Sequence, residues 1–308
     1  MSFQEKYLPI FELVKSDIER VETNLFDEIN LDEPLKSKLF EILKAPSKHI
    51  RAVLTFLYLK AAGMKIDKKQ IVFQSAIELV HNASLIHDDV IDESQTRRTV
   101  STLNSEFGNK LAVITGDYLL SIALKKIITL NCSEIIDMFA QTLDDMCQGE
   151  IKQDFNRFKI PTIEEYIKKT ELKTAKLFET ALCGSILLAK SEITKSLPLA
   201  PTGRGWHEVT GEGCYCPNIQ DYARNFGIAF QIIDDLINEK TSQNDFKEGI
   251  FTAPVIFAGS VEDYRSGIEK TQILLNNYVD NAQKEVEKFE ESKYKSALTN
   301  LLGLIKYE

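Results

Sequence analysis

QIVFQSAIELVHNASLIHDDVIDESQTRR, residues 70–98, carries two patterns end to end. In its first part Ile71, Val72, Ser75, Ala76, Leu79, Val80 and Ala83 follow the i, i+3, i+4, i+7 spacing of a helix. The stretch from Ile77 through Ile86 is apolar enough to bury that helix in a core. Its end then turns acidic. Asp88, Asp89 and Asp92 fall within about 100° of arc on such a helix, and Arg97 and Arg98 follow just beyond. Like charges packed this closely destabilise the chain end unless something positive sits among them.

The same period recurs in LAVITGDYLLSIALKKIITL, IIDMFAQTLDDMCQGEIKQDF, YIKKTELKTAKLFETALCGSILLAK and IQDYARNFGIAFQIIDDLI. Only eight prolines and 14 glycines interrupt the chain, and no run alternates with period two between hairpin turns. The expected fold is all-α: a large helical bundle, 1–308, in one domain. Residues 196–218, SLPLAPTGRGWHEVTGEGCYCPN, break the helical pattern and read as a loop inserted between core helices. Their His207, Cys214 and Cys216 make a weak zinc pattern, with one close Cys-x-Cys pair at irregular spacing, and a surface loop is the stronger reading.

Bulk composition narrows the function. Hydrophobic residues make up 44% and charged residues 27%, as in a folded globular chain, and the formal charge of −9 opposes a nucleic-acid partner. The N-terminal stretch mixes charges of both signs and does not read as a signal peptide. No stretch approaches the roughly 20 apolar residues of a membrane span. Five cysteines without a pairing framework fit reduced thiols and a cytoplasmic location.

A second acidic cluster repeats the first. Asp234, Asp235 and Asn238 again close a strongly apolar helix. One such cluster reads as a solvated helix end; two with the same spacing read as ligands. Carboxylates at this density suit Mg²⁺, which keeps several waters and bridges to phosphate oxygens. Paired arginines and nearby lysines then suit a diphosphate, because guanidinium binds phosphate through two parallel hydrogen bonds.

Here the chain resembles the trans-isoprenyl diphosphate synthase (polyprenyl synthase) family, from about Lys44 to Ala258. DDVIDESQTRR matches the first aspartate-rich motif and FQIIDD the second. SKHIR with Lys48 and Arg51, His81, Gly116–Asp117, QGE at 148–150, KTA at 173–175 and DFKEG at 245–249 fall in the family's order. The resemblance implies an isoprenoid-synthase bundle around a central active-site cavity. It implies three Mg²⁺ ions, with Asp88, Asp92 and Asp234 as direct ligands and Asp89 and Asp235 acting through water. Arg97, Lys173, Gln231 and Lys240 would hold the allylic diphosphate, and Thr174 would help stabilise the allylic cation. Lys48, Arg51, His81 and Arg98 would hold isopentenyl diphosphate. A homodimer and a peripheral membrane contact for product release follow as further implications.

The chain departs from the family pattern in four places. Pro46-Ser47-Lys48 replaces a Gly-Gly-Lys, Asn238 replaces the third acid of the second motif, the loop after it is short, and Ile250 stands where a lysine is common. Ala83 and Ser84, one turn before Asp88, are small, so the sequence predicts an open tunnel and a product beyond C20, with Ala123 and Leu124 as candidate floor residues. The alternatives are a non-catalytic or weakly active partner subunit of a heteromeric synthase and, with less support, a class I terpene cyclase.

Overall fold

Helix α5, Lys68–Ile91, begins where Asp67 accepts hydrogen bonds from the backbone N–H groups of Lys69 and Gln70 while the Gln70 side chain bonds back to Asp67 N. This reciprocal cap satisfies donors that a helix start otherwise leaves unpaired. The helix then runs 24 residues through the core, and Asp92 closes it as C-cap. The computed structural model describes residues 3–194, 218–237 and 248–306.

Before α5 come α1 (Phe3–Glu12), α2 (Lys15–Phe26), α3 (Leu35–Lys44) and α4 (Ile50–Ala61). After it, a small hairpin pairs β1 (Thr96–Arg97) with β2 (Val100–Ser101), antiparallel, with Arg97 opposite Val100. Then follow α6 (Leu103–Thr129, interrupted at Gly108), α7 (Ser133–Phe155), α8 (Ile163–Thr170), a π-helical turn (Glu171–Ala175), α9 (Lys176–Thr194), α10 (Ile219–Ile237), α11 (Ala253–Ala258), a short 3-10 turn, α12 (Ile268–Glu287) and α13 (Lys293–Ile305). The all-α expectation holds, and the two-residue strands of the hairpin are the sole sheet among the described residues.

The core has two parts that share α9. Phe178, Leu182 and Ile186 of α9 pack with residues of α1, α4, α10, α12 and α13. On its other side Leu177, Ala181 and Leu188 pack with α3, α5, α6 and α7. Helix α9 is thus the wall from which both halves are hung, and burial on both faces explains its continuous apolar run. Among the described residues no helix is long and apolar enough to cross a membrane. Asn238, Lys240, and the expected 196–218 insertion apart from Asn218 lie outside the described residues.

Candidate active site

Both acid clusters sit at helix C-termini, where the backbone dipole already places partial negative charge. Carboxylates there add to an unfavourable field, so their placement calls for a cation from outside the chain. Asp88 is half-buried and its carboxyl is pushed up to about 6 by burial, with Glu150 and Asp92 adding to the effect against the opposing charge of Lys173. Asp92 is raised by burial and by Glu248 beside it. Asp88, Asp92, Glu150 and Glu248 therefore form one self-repelling group. Among the described residues no three acids are gathered tightly enough to make a finished metal cage. Hard oxygen donors spaced in this way fit Mg²⁺, whose shell is completed by water and phosphate oxygen.

In each aspartate pair one member is tethered by the protein. Arg97 donates from Nε to Asp89 Oδ1 at 2.7 Å, and Asp89 is buried. The Asp89 carbonyl takes bonds from Ser94 N at 2.9 Å and Asn104 Nδ2 at 3.1 Å, which fixes the helix end. On α10, Tyr166 OH donates to Asp235 Oδ2 at 2.6 Å and Gln231 Nε2 to Asp235 Oδ1 at 2.8 Å, while Asp234 is exposed. Arg97 and Gln231, expected on sequence to hold the allylic diphosphate, thus grip carboxylates here. Gln231 also accepts a hydrogen bond from Thr174 Oγ1 at 2.9 Å, so both ends of its amide are engaged.

Lys173 and Thr174 come from the π-helical turn, a geometry that occurs often at functional sites. Two glycines let helices close on it. A Cβ at Gly149 would lie 3.0 Å from Lys173 N, and one at Gly227 would lie 2.6 Å from Ala175 Cα, so α7 and α10 press on the turn from two sides. The Lys173 ammonium pairs with Glu150 and stands 4.0 Å from Asp88 Oδ1. Burial works against its charge, but Asp88 and Glu150 outweigh it and raise its pKa above the usual lysine range.

Beside the acids lies a cationic group. Arg51 is buried in α4 with its guanidinium 4.7 Å from the Phe178 ring centroid, and its Nε has no hydrogen-bond partner. Burial, together with the charge of Arg98, pushes Arg51 down to about 10 against the pull of Glu78. His81 is driven well below its ordinary value by burial and by Arg51, Arg98 and Arg97, and so stands neutral among guanidinium groups. The turn between the hairpin strands consists of Arg98 and Thr99, at φ 50° and 69°. Positive φ at both positions suits a two-residue hairpin turn, but arginine and a β-branched threonine adopt it under strain. The Lys48 ammonium lies 4.1 Å from the Phe3 ring centroid. Lys240 is outside the described residues.

Sequence reasoning missed Glu78 and His49, which hold the cationic group together. Glu78 is buried in α5 and lies 3.1 Å from His49 Nδ1, while His49 Nε2 reaches Glu22 at 3.0 Å. Burial favours the neutral acid, but His49 and Arg51 overcome it and hold Glu78 at about 2. An isolated acid in an apolar helical run was the available signal. Glu78→Gln leaves Arg51 and His49 buried without their counter-charge and is expected to cost about 3 kcal/mol near pH 6. The Glu78 contribution is complete above its unfolded value of 4.5 and is lost as pH falls toward 2. His49, whose pKa is raised from 6.5 because Glu78 and Glu22 outweigh burial, contributes fully below 6.5, and its share fades as pH rises through the folded value. Denaturant unfolding of both proteins between pH 4 and 8 should therefore show the largest gap between about pH 5 and 6.5. A flat difference would contradict this.

The Polyprenyl synthetase family model matches residues 32–295. Solanesyl diphosphate synthase 1, chloroplastic, of Arabidopsis thaliana is 30% identical over 332 aligned positions, covering 95% of this chain and 77% of its own. Octaprenyl diphosphate synthase of Haemophilus influenzae is 29% identical, covering 96% of this chain and 95% of its own. Among solved structures, the polyprenyl synthase from Caulobacter crescentus CB15 complexed with calcium and isoprenyl diphosphate aligns with a TM-score of 0.80 at 22% identity, covering 97% of both chains. The likeness to that structure speaks for the fold. The family match and the relatives, falling on a chain whose acid clusters and guanidinium group stand side by side, show that it belongs to the polyprenyl synthetase family.

Proposed function

We propose that the chain condenses isopentenyl diphosphate with an allylic diphosphate, head to tail and trans, and releases a polyprenyl diphosphate longer than C20. One observation carries this reading. Two self-repelling groups of opposite sign adjoin at one end of the bundle: Asp88, Asp92, Glu150 and Glu248 as acids, and Arg51, Arg97 and Arg98 around neutral His81 as cations. Divalent cations complete the first group and diphosphate the second. The named relatives, which are solanesyl and octaprenyl synthases, support the long product.

Asp88, Asp92 and Asp234 would hold Mg²⁺, three ions in all, and Asp89 and Asp235 would shape their surroundings. Bound there, Mg²⁺ would supply Lewis-acid neutralisation of the diphosphate charge. The chain's own residues do the rest. The Lys173 ammonium, held by Glu150, faces the leaving diphosphate and stabilises the charge that grows on it. Thr174, aligned by Gln231, turns its oxygen toward the allylic carbon. Arg51 and Arg98 orient isopentenyl diphosphate so that its alkene attacks the allylic cation, and the departing diphosphate takes the proton. Arg97 and Gln231 act as positioning residues through Asp89 and Asp235.

Purified protein with Mg²⁺, isopentenyl diphosphate and farnesyl diphosphate should yield elongated products beyond C20, read by chromatography. No product from the chain alone, with elongation restored by a second subunit, would favour the partner-subunit alternative. A homodimer belongs to the same reading. Val113, Ile114, Leu124 and Ile128 are exposed on one side of α6, and such a stripe suits a self-complementary helix pair. Leu124 is 44% exposed and Ala123 is buried, which supports Ala123 over Leu124 as the tunnel floor. Ile114→Asp combined with Ile128→Asp should convert a dimer to a monomer by light scattering. An unchanged mass would place the contact elsewhere. A cytoplasmic setting and release of the product at a membrane surface complete the proposal, and the exposed thiol of Cys147 suits a reducing compartment.

A further inference from the structure

Helix α7 closes on Asn156 as its C-cap, yet its last turns carry an exposed apolar face. Ile151 and Phe155, one turn apart on the same face, are 55% and 79% exposed, and Phe158 and Ile160 just beyond are 72% and 43% exposed. Isolated apolar residues on a surface are ordinary, but two phenylalanines and two isoleucines within ten positions form a patch. Backbone geometry holds one of them outward. Phe158 sits at φ 63°, a region that bulky side chains avoid, and its N–H donates to Gly249 O at 2.9 Å, which locks the conformation. A strained backbone that keeps an aromatic ring in water points to a role for that ring.

The charge around the patch is equally uneven. Lys152 and Lys159 are exposed beside it, and with Lys168 and Lys169 they line a cavity of about 360 Å³ closed by Ile250 and Phe251. Asp154 pairs with Arg157 at 2.9 Å, Glu165 accepts the Thr162 N–H at 2.8 Å, and Lys168 pairs with Glu171 at 3.3 Å, so Lys152 and Lys159 are the lysines that flank the patch. Between Ile151 and Lys169 five cations, Lys152, Arg157, Lys159, Lys168 and Lys169, stand against three acids, Asp154, Glu164 and Glu165, a local excess of positive charge in a chain of formal charge −9. Aromatic and aliphatic side chains ringed by lysines match the interface of an anionic bilayer, where rings enter the acyl boundary and ammonium groups meet phosphate. The patch begins directly after Glu150, so it borders the active-site mouth.

We propose that the end of α7 and the loop after it dock the protein on an anionic phospholipid bilayer, with Phe155 and Phe158 inserting and Lys152 and Lys159 contacting headgroup phosphates. This rests on the reading that a long-chain prenyl product is delivered to a membrane. Docking beside the mouth would shorten the path of an insoluble tail through water.

Flotation of the full-length protein with vesicles tests the surface directly. One set of vesicles is phosphatidylcholine alone and the other contains about a third phosphatidylglycerol. Wild type should float with the anionic set, bind the neutral set weakly, and lose binding as salt rises. Phe155→Ser with Phe158→Asn, and separately Lys152→Glu with Lys159→Glu, should each reduce partitioning about tenfold or more. Prenyl transfer in detergent by both variants should stay within about twofold of wild type, since neither pair belongs to the site. No flotation of the wild type, or unchanged flotation of both variants, would overturn the proposal. So would a change of mass on light scattering in the aromatic variant with vesicle binding intact, which would make the patch a contact between copies. Because flotation needs no turnover, failure of the prenyl-transfer reading would leave this result separately legible.

Discussion

Replacing Asp88 by asparagine should reduce prenyl transfer by about a hundred- to a thousandfold and, in chelator, raise the melting temperature of the same protein. The two effects share one cause. Asp88 lies at the negative end of the α5 dipole, half-buried, with Glu150 and Asp92 close enough to oppose its ionisation. Lys173 is the cation nearest it, at 4.0 Å, and Glu150 already claims that ammonium. With no divalent ion bound, an ionised Asp88 adds repulsion that the fold must withstand, and asparagine removes it while keeping the shape. A gain of about 2–6 °C is the expected scale. On the proposed reading the same change deletes a ligand whose charge would anchor Mg²⁺ against diphosphate, and transition-state stabilisation is lost. Steady-state assays with saturating Mg²⁺ and calorimetry in chelator read the two halves independently. Activity within tenfold of wild type would remove Asp88 from the site. A lower melting temperature would mean that its carboxylate supports the fold.

Asp89→Asn separates the members of the pair. Burial raises the Asp89 pKa against the pull of Arg97, but its carboxylate receives Arg97 at 2.7 Å, so asparagine strips a half-buried guanidinium of its partner instead of relieving repulsion, and its stability change should have the opposite sign. Adjacent aspartates in one motif thus carry different duties. The motif itself does not reveal which is which.

That contrast shows where sequence was sufficient. Helix α5 was legible because its apolar period and its acidic end stand in one continuous stretch, and helical spacing alone gathers Asp88, Asp89 and Asp92. The groups that tune them were not. Tyr166 reaches Asp235 from 69 positions away, Thr174 reaches Gln231 across 57, and His49 reaches Glu78 across 29. No local pattern encodes such pairings, because they arise only when α8, α10 and α4 pack. The π-helical turn was hidden for another reason: its five residues shift the helical register by less than any periodicity window can resolve. The Arg98–Thr99 turn defeated turn chemistry outright, since neither residue belongs to the Asn-Gly type that favours positive φ. Lys48, assigned by motif to the phosphate group, sets its ammonium over the Phe3 ring of α1, a contact across 45 positions that no motif shows.

Ser84→Phe should change the product from chains beyond C20 to chains of C20 or shorter, with transfer to a short allylic starter retained. Ser84 and Asp88 are four residues apart on α5, so their side chains share a face and lie about one turn, about 6 Å, apart along the axis. Ser84 is partly exposed, and its hydroxyl donates back to His81 O at 2.8 Å, so it has no partner across the core to lose. A benzyl group there would extend one turn from Asp88, onto the path that the proposed reaction gives the growing tail. Ala83 provides the contrast. It is fully buried within the cluster that joins α5 to α6, and a ring at that position would overpack the core at a cost of about 1–3 kcal/mol. Ala83→Phe should therefore lower stability first, whereas Ser84→Phe should alter length with little change in melting temperature. Chromatography of the dephosphorylated products, beside a thermal melt of each variant, distinguishes the two. Unshortened products from a stable Ser84→Phe protein would mean that the tail leaves the site along another face of α5.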